Sequence, residues 1–96
     1  MYSIIETENF SHWLGSLKDR ETRIRLARRL GKARRGILGD VKPVGEGVCE
    51  MREFFGPGWR MYYVEQAGAI IFMLGGGDKS SQVKDIERAI QLAKEL

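Results

Sequence analysis

The chain is poor in the residues that make cross-links and metal sites. It has one cysteine, Cys49, and one histidine, His12. A single thiol rules out an intramolecular disulfide and fits a reducing compartment. One histidine and one cysteine fall short of the ligand set of a zinc site. Asp40, Glu46, Glu50 and Glu53 show no metal-binding spacing, so a hydrolase built on this chain is expected to need neither metal nor cofactor. Long apolar runs are also missing. The longest, Ala69–Leu74, has six residues; that is strand length, far short of the roughly 20 a membrane span needs. Met1–Glu6 carries no basic n-region and no cleavage site, so the expected location is the cytoplasm.

Cations are plentiful. The 96 residues contain 16 Lys and Arg against 13 Asp and Glu, a modest net charge of +3. Their distribution is uneven. Between Arg20 and Arg35 lie eight cations, opposed only by Glu21. Such a field suits a polyanion such as RNA, or an acidic protein partner; it equally suits a solvated helix face. Apolar residues make up 43% of the chain, enough for one core, and the length allows one domain over residues 1–96.

Periodicity divides the chain into elements. Tyr2–Ile5 reads as a short strand. Phe10, Trp13, Leu14 and Leu17 line one face of a helix that Thr7 or Asn9 would cap. A second helix runs from Glu21 to about Gly36, with Ile24, Ala27 and Leu30, joined by Leu26 and Ala33, as its buried stripe. So short a link between them predicts an antiparallel helical hairpin. Asp40–Val44, Val48–Phe55, Trp59–Gln66 and Ala69–Leu74 read as strands, the last ended by Gly75-Gly76-Gly77. Ser80 or Ser81 would cap a C-terminal helix with Val83, Ile86, Ile90 and Ala93 inward. Segregated strands and helices predict an α+β fold, a small antiparallel sheet with helices on one face.

Two segments bear on chemistry. If Gly56-Pro57-Gly58 is a three-residue hairpin loop, Phe55 faces Trp59, Phe54 faces Arg60 and Arg52 faces Tyr62. Directly paired residues share a sheet face, so two arginines and two aromatics would lie together. Guanidinium groups grip phosphate bidentately and rings stack on splayed bases. Cross-strand pairing of those arginines with Glu50 and Glu65 is an equal reading. Lys79, in Gly75-Gly76-Gly77-Asp78-Lys79-Ser80, fails the P-loop pattern because Asp78 and Phe72 stand where glycines belong. A lysine at a glycine turn before a helix can still meet an anion; a plain surface lysine is the alternative. His12 is expected at the surface and Cys49 in packing.

Several stretches together resemble a known family. They are Phe10-x-x-Trp13-Leu14-x-x-Leu17, Arg23-Ile24-Arg25 with Arg28-Arg29-Leu30, Gly39-Asp40-Val41-Lys42-Pro43-Val44-Gly45, Glu50-Met51-Arg52, Phe55-Gly56-Pro57-Gly58-Trp59-Arg60, and Gly76-Gly77-Asp78-Lys79-Ser80. Over nearly the whole chain this pattern resembles the HigB-like addiction-module killer proteins of the RelE/ParE toxin superfamily. Trp59 replaces the commoner tyrosine of the motif. The resemblance implies a RelE-like fold and a type II toxin that cuts mRNA on the ribosome. It also implies a helix-turn-helix antitoxin that covers the basic surface and joins the toxin on operator DNA.

By the same resemblance Arg60 handles the phosphate, Arg52 orients or stabilises it, and Lys79 stabilises charge or moves a proton. Asp78 and Gln82 would position Lys79. Arg25, Arg28, Arg29, Lys32, Arg35, Lys42, Trp59 and Tyr62 would bind RNA or the ribosome. Several ribosome-dependent relatives carry a tyrosine or histidine near the C-terminal helix for proton transfer. Ser81–Leu96 has neither, so the general acid and base are unassigned. The superfamily leaves two alternatives: a ParE-like protein inhibitor of DNA gyrase, and an inactive relative that only binds its antitoxin.

Overall fold

A computed structural model describes residues 1–96. Strand β1 (Ser3–Glu6) leads into helices α1 (Glu8–Ser16) and α2 (Arg20–Arg34). Strands β2 (Val41–Gly45), β3 (Val48–Arg52), β4 (Arg60–Gln66) and β5 (Ile70–Gly77) follow, then a 3-10 turn at Lys79–Ser81 and helix α3 (Gln82–Lys94). Thr7 starts α1 in two ways. Its Oγ1 accepts from the Phe10 amide at 3.3 Å, filling an unpaired donor of the first turn. The same hydroxyl donates to the Met73 carbonyl at 2.7 Å, tying the helix start to β5.

The fold is α+β, with a five-stranded sheet in the order β1-β5-β4-β3-β2. The sheet is mixed, not antiparallel throughout: β1 runs parallel to β5, from Ser3 beside Ile70 to Glu6 beside Met73. No tight turn joins those two strands, so nothing local in the sequence sets their direction. Helices cover both faces, not one. Met51, Met61, Tyr63, Ile71 and Met73 pack under Phe10, Leu26, Leu30 and Ala33 of α1 and α2. On the other face Val48, Tyr62 and Leu74 pack under Ala89 of α3, flanked by Ile86 and Ile90. Strand alternation divides the strand residues between the two cores. Each fully buried side chain of this size contributes about 2 kcal/mol. No helix is long and apolar enough to cross a membrane.

Several boundaries depart from the sequence reading. The buried stripe of α2 is Thr22, Leu26, Arg29, Leu30 and Ala33; Ile24 and Ala27 instead face a groove between α1 and α2. Val83 of α3 is exposed. Strand β5 runs through Gly75-Gly76-Gly77 instead of ending there. These glycines permit close approach. A Cβ on Gly75 would lie 3.0 Å from Asn9 Nδ2, one on Gly76 2.5 Å from Trp13 Cη2, and one on Gly77 2.8 Å from Ser81 Oγ.

Candidate phosphate-binding site

The β3–β4 connection is longer than three residues. Strand β3 stops at Arg52 and β4 starts at Arg60. Arg52 is therefore paired with Arg60, and Glu50 with Tyr62. Gly56 and Gly58, both at positive φ, turn the loop, and Glu53 leaves the sheet to pair with Arg29 of α2. The register thus moves by two residues from the three-residue reading. A shift of two preserves the faces, so Arg52, Arg60 and Tyr62 do share one side.

On that side the last row of the sheet reads Arg52, Arg60, Gly77 across β3, β4 and β5. The row beneath reads Lys42, Glu50, Tyr62, Gly75. Lys79 follows Gly77 by two residues and is exposed. Its Cβ and the Arg60 Nη1 both border Gly58, where an added Cβ would lie 3.6 and 3.1 Å from them. The structure thus brings Arg52, Arg60 and Lys79 to one end of one sheet face. Arg52 is held by a bidentate pair with Asp40, Nε to Oδ2 and Nη2 to Oδ1, both 3.0 Å. Arg60 Nη1 donates to the Gly58 carbonyl at 2.7 Å. Its Nε is buried without a hydrogen bond, 3.8 Å from Glu50 Oε2.

Glu50 was not singled out as a site residue by the sequence. It is 1% exposed beneath Arg60 and accepts from Gln82 Nε2 at 3.1 Å. A buried carboxylate needs a cation and donors, and here Arg60 and Gln82 supply them. A glutamate two residues after Val48, and so on the same face of the strand, was the available signal.

Other expected site residues are placed differently. Tyr62 is not an RNA-facing ring. It is fully buried under α3, its hydroxyl without a partner, because its strand position faces the second core. Burial, then the charges of Glu50 and Asp85, pushes its hydroxyl pKa well above the ordinary tyrosine value. Trp59 is half-buried and packs edge-on against Trp13 at 6.4 Å, so it is not a free stacking platform. Arg29 points inward to the carbonyls of Leu38, Asp40 and Arg52. Asp78 bonds the Ser80 amide at 2.8 Å and Gln82 bonds Glu50; neither bonds Lys79.

Arg25, Arg28 and Lys32 do line the exposed side of α2, Arg35 is exposed just past its end, and Lys42 is exposed on β2. Arg28 and Lys32 border a cleft closed by Arg29 and Glu53. Arg25 lies over the Phe55 ring at 3.7 Å. The two cationic surfaces therefore meet at the loop between β3 and β4.

The Arg52 guanidinium, by hydrogen bond and charge, holds the Asp40 carboxyl below the usual carboxylate range. Hydrogen bonds from Thr22 and from Ser80 do the same for Asp19 and Asp78. A lowered folded-state pKa contributes stability that is present above the ordinary value of about 4 and lost as pH falls through the folded value. Thermal unfolding followed downward from neutral pH should show that acid loss, and Asp40→Asn should make it shallower. An acid limb identical in the variant would contradict the Arg52–Asp40 assignment.

No family model matches the chain. A protein of Haemophilus influenzae, described as uncharacterized, is 40% identical over 90 residues, covering 94% of this chain and 91% of the relative.

Proposed function

The chain belongs to one family with that Haemophilus influenzae protein, and we propose that it is a type II toxin that cleaves mRNA on the ribosome without metal. One observation carries the reading: Arg52, Arg60 and the turn bearing Lys79 stand side by side on neighbouring strands. Three cations converging on one end of the sheet face, Lys79 exposed, Arg52 partly exposed and Arg60 largely buried, fit a phosphate whose charge grows in the transition state. The sequence resemblance to HigB-like proteins, and the order of one strand, two helices, a meander and a helix, support a RelE-like fold.

In this reading the RNA 2′-oxygen bonds to the adjacent phosphorus and the P–O5′ bond breaks. The products are a 2′,3′-cyclic phosphate and a 5′-hydroxyl. Arg60 binds the phosphate through Nη2, which makes no protein hydrogen bond, and Arg52 steadies the same group. Lys79 donates a proton to the leaving 5′-oxygen, and the proton of the attacking 2′-hydroxyl passes to water. Glu50 is a positioning residue, holding the Arg60 guanidinium from below. The exposed cations of α2 dock ribosomal RNA, and a helix-turn-helix antitoxin covers them, bringing the complex to operator DNA. This chemistry belongs in the cytoplasm.

Induction in a bacterial host, with RNA ends mapped, tests the reading. Wild type should cut mRNA within reading frames. Arg60→Ala should lower cleavage by about 10²-fold or more, read at a temperature where the variant, whose buried Glu50 has lost its cation, keeps the wild-type far-ultraviolet circular dichroism. Lys79→Ala should fall in the same direction. Intact mRNA with a DNA-damage response would overturn the nuclease reading in favour of a gyrase inhibitor. An absence of any toxicity would favour a protein that only binds its antitoxin.

A further inference from the structure

Most large apolar side chains of this protein are covered; Phe54 is 77% exposed and stands at the rim of the cationic site. Its neighbours on both sides are pinned. Glu53 pairs with the buried Arg29, and its amide donates to the Trp59 carbonyl at 2.9 Å. Phe55 packs against the first core under Arg25. A residue held between two anchored neighbours loses little backbone freedom when a ligand arrives. The ring is therefore a preset platform, not the tip of a floppy loop. The Arg52 guanidinium lies 5.8 Å from its centroid, near the outer limit of a cation–π contact. Asp40 fixes that guanidinium through two hydrogen bonds.

We propose that Phe54 and Arg52 form a stacking site for one unstacked base of single-stranded RNA, next to the phosphate held by Arg60 and Lys79. An exposed ring beside fixed cations matches a nucleotide in two parts, the base on the ring and the phosphate on the cations. Stacking tolerates any base, so the site sets the position of the strand and not its sequence. The inference rests on the nuclease reading for its substrate class, but it is measured without cleavage.

The test is fluorescence anisotropy with a labelled, 2′-O-methylated RNA oligonucleotide, which lacks the attacking hydroxyl. Phe54→Ala should weaken binding about ten-fold or more. Phe54→Leu should resemble Ala, and Phe54→Trp should match or exceed wild type. The Ala effect should vanish on an oligonucleotide with abasic positions, whose phosphates remain. Wild-type binding that Phe54→Ala and Phe54→Leu leave unchanged would overturn the stacking site alone, even if the same variants lost a protein partner. Full rescue by leucine would overturn it as well, because an apolar contact would then suffice. A wild-type protein with no salt-dependent affinity for the oligonucleotide would overturn the stacking site, while the nuclease reading stands or falls on the mapped RNA ends.

Discussion

Arg29→Met is expected to destabilise the fold by about 3–5 kcal/mol, read as a lower urea midpoint with an unchanged slope. The residue sits in the cationic helix but is only 9% exposed. Its Nη2 donates to the carbonyls of Leu38 at 2.9 Å and Asp40 at 2.7 Å. Its Nη1 donates to the Arg52 carbonyl at 2.7 Å and pairs with Glu53. Methionine matches the apolar stem and removes every donor, leaving those carbonyls and a partly buried carboxylate without their charged partner. Lysine keeps the charge but not the planar fork, so Arg29→Lys should recover part of the loss. For a domain of this size about 3 kcal/mol lowers Tm by roughly 12 °C or more. A variant within about 0.5 kcal/mol of wild type would mean that these bonds do not hold α2 to the sheet. Because the same guanidinium fixes the backbones of Asp40 and Arg52, the proposed nuclease function predicts that Arg29→Met also reduces RNA cleavage at temperatures where it remains folded.

Gly76→Ala should be nearly as costly, about 3 kcal/mol. The added methyl would lie 2.5 Å from Cη2 and 2.7 Å from Cε3 of Trp13. That indole cannot swing aside cheaply. It packs on Phe10 at 5.7 Å and on Trp59 at 6.4 Å between ring centroids. Gly77→Ala meets a softer neighbour, the Asp85 carboxylate, which can rotate away at the loss of its bond from Ser81. Its cost should be smaller. Gly15→Ala is the matched control, in α1 with nothing within 4 Å of the new Cβ. It should gain about 0.5–1 kcal/mol through helix propensity alone. Chemical unfolding of the three variants in parallel checks the ranking; equal effects at Gly76 and Gly15 would contradict the close approach of Trp13.

The sequence determined by itself whatever depends on local periodicity and capping. The helical spacing of Phe10, Trp13 and Leu17, the Thr7 cap and the short strands rich in branched and aromatic residues all have reach of a few residues. The α+β class followed from them. Face sharing by Arg52, Arg60 and Tyr62 was legible too, because strand parity survives a register change of two. What parity does not say is whether a face is open. Helix α3 covers Tyr62, and the sequence contains no statement of which sheet face that helix will choose. The parallel pairing of β1 with β5, the inward turn of Arg29 and the burial of Glu50 under Arg60 likewise join residues distant along the chain. Such contacts are selected by the summed packing of the whole domain, not by any one segment. A cation in the α2 pattern therefore read as one more docking arginine until the carbonyls of Leu38, Asp40 and Arg52 closed around it.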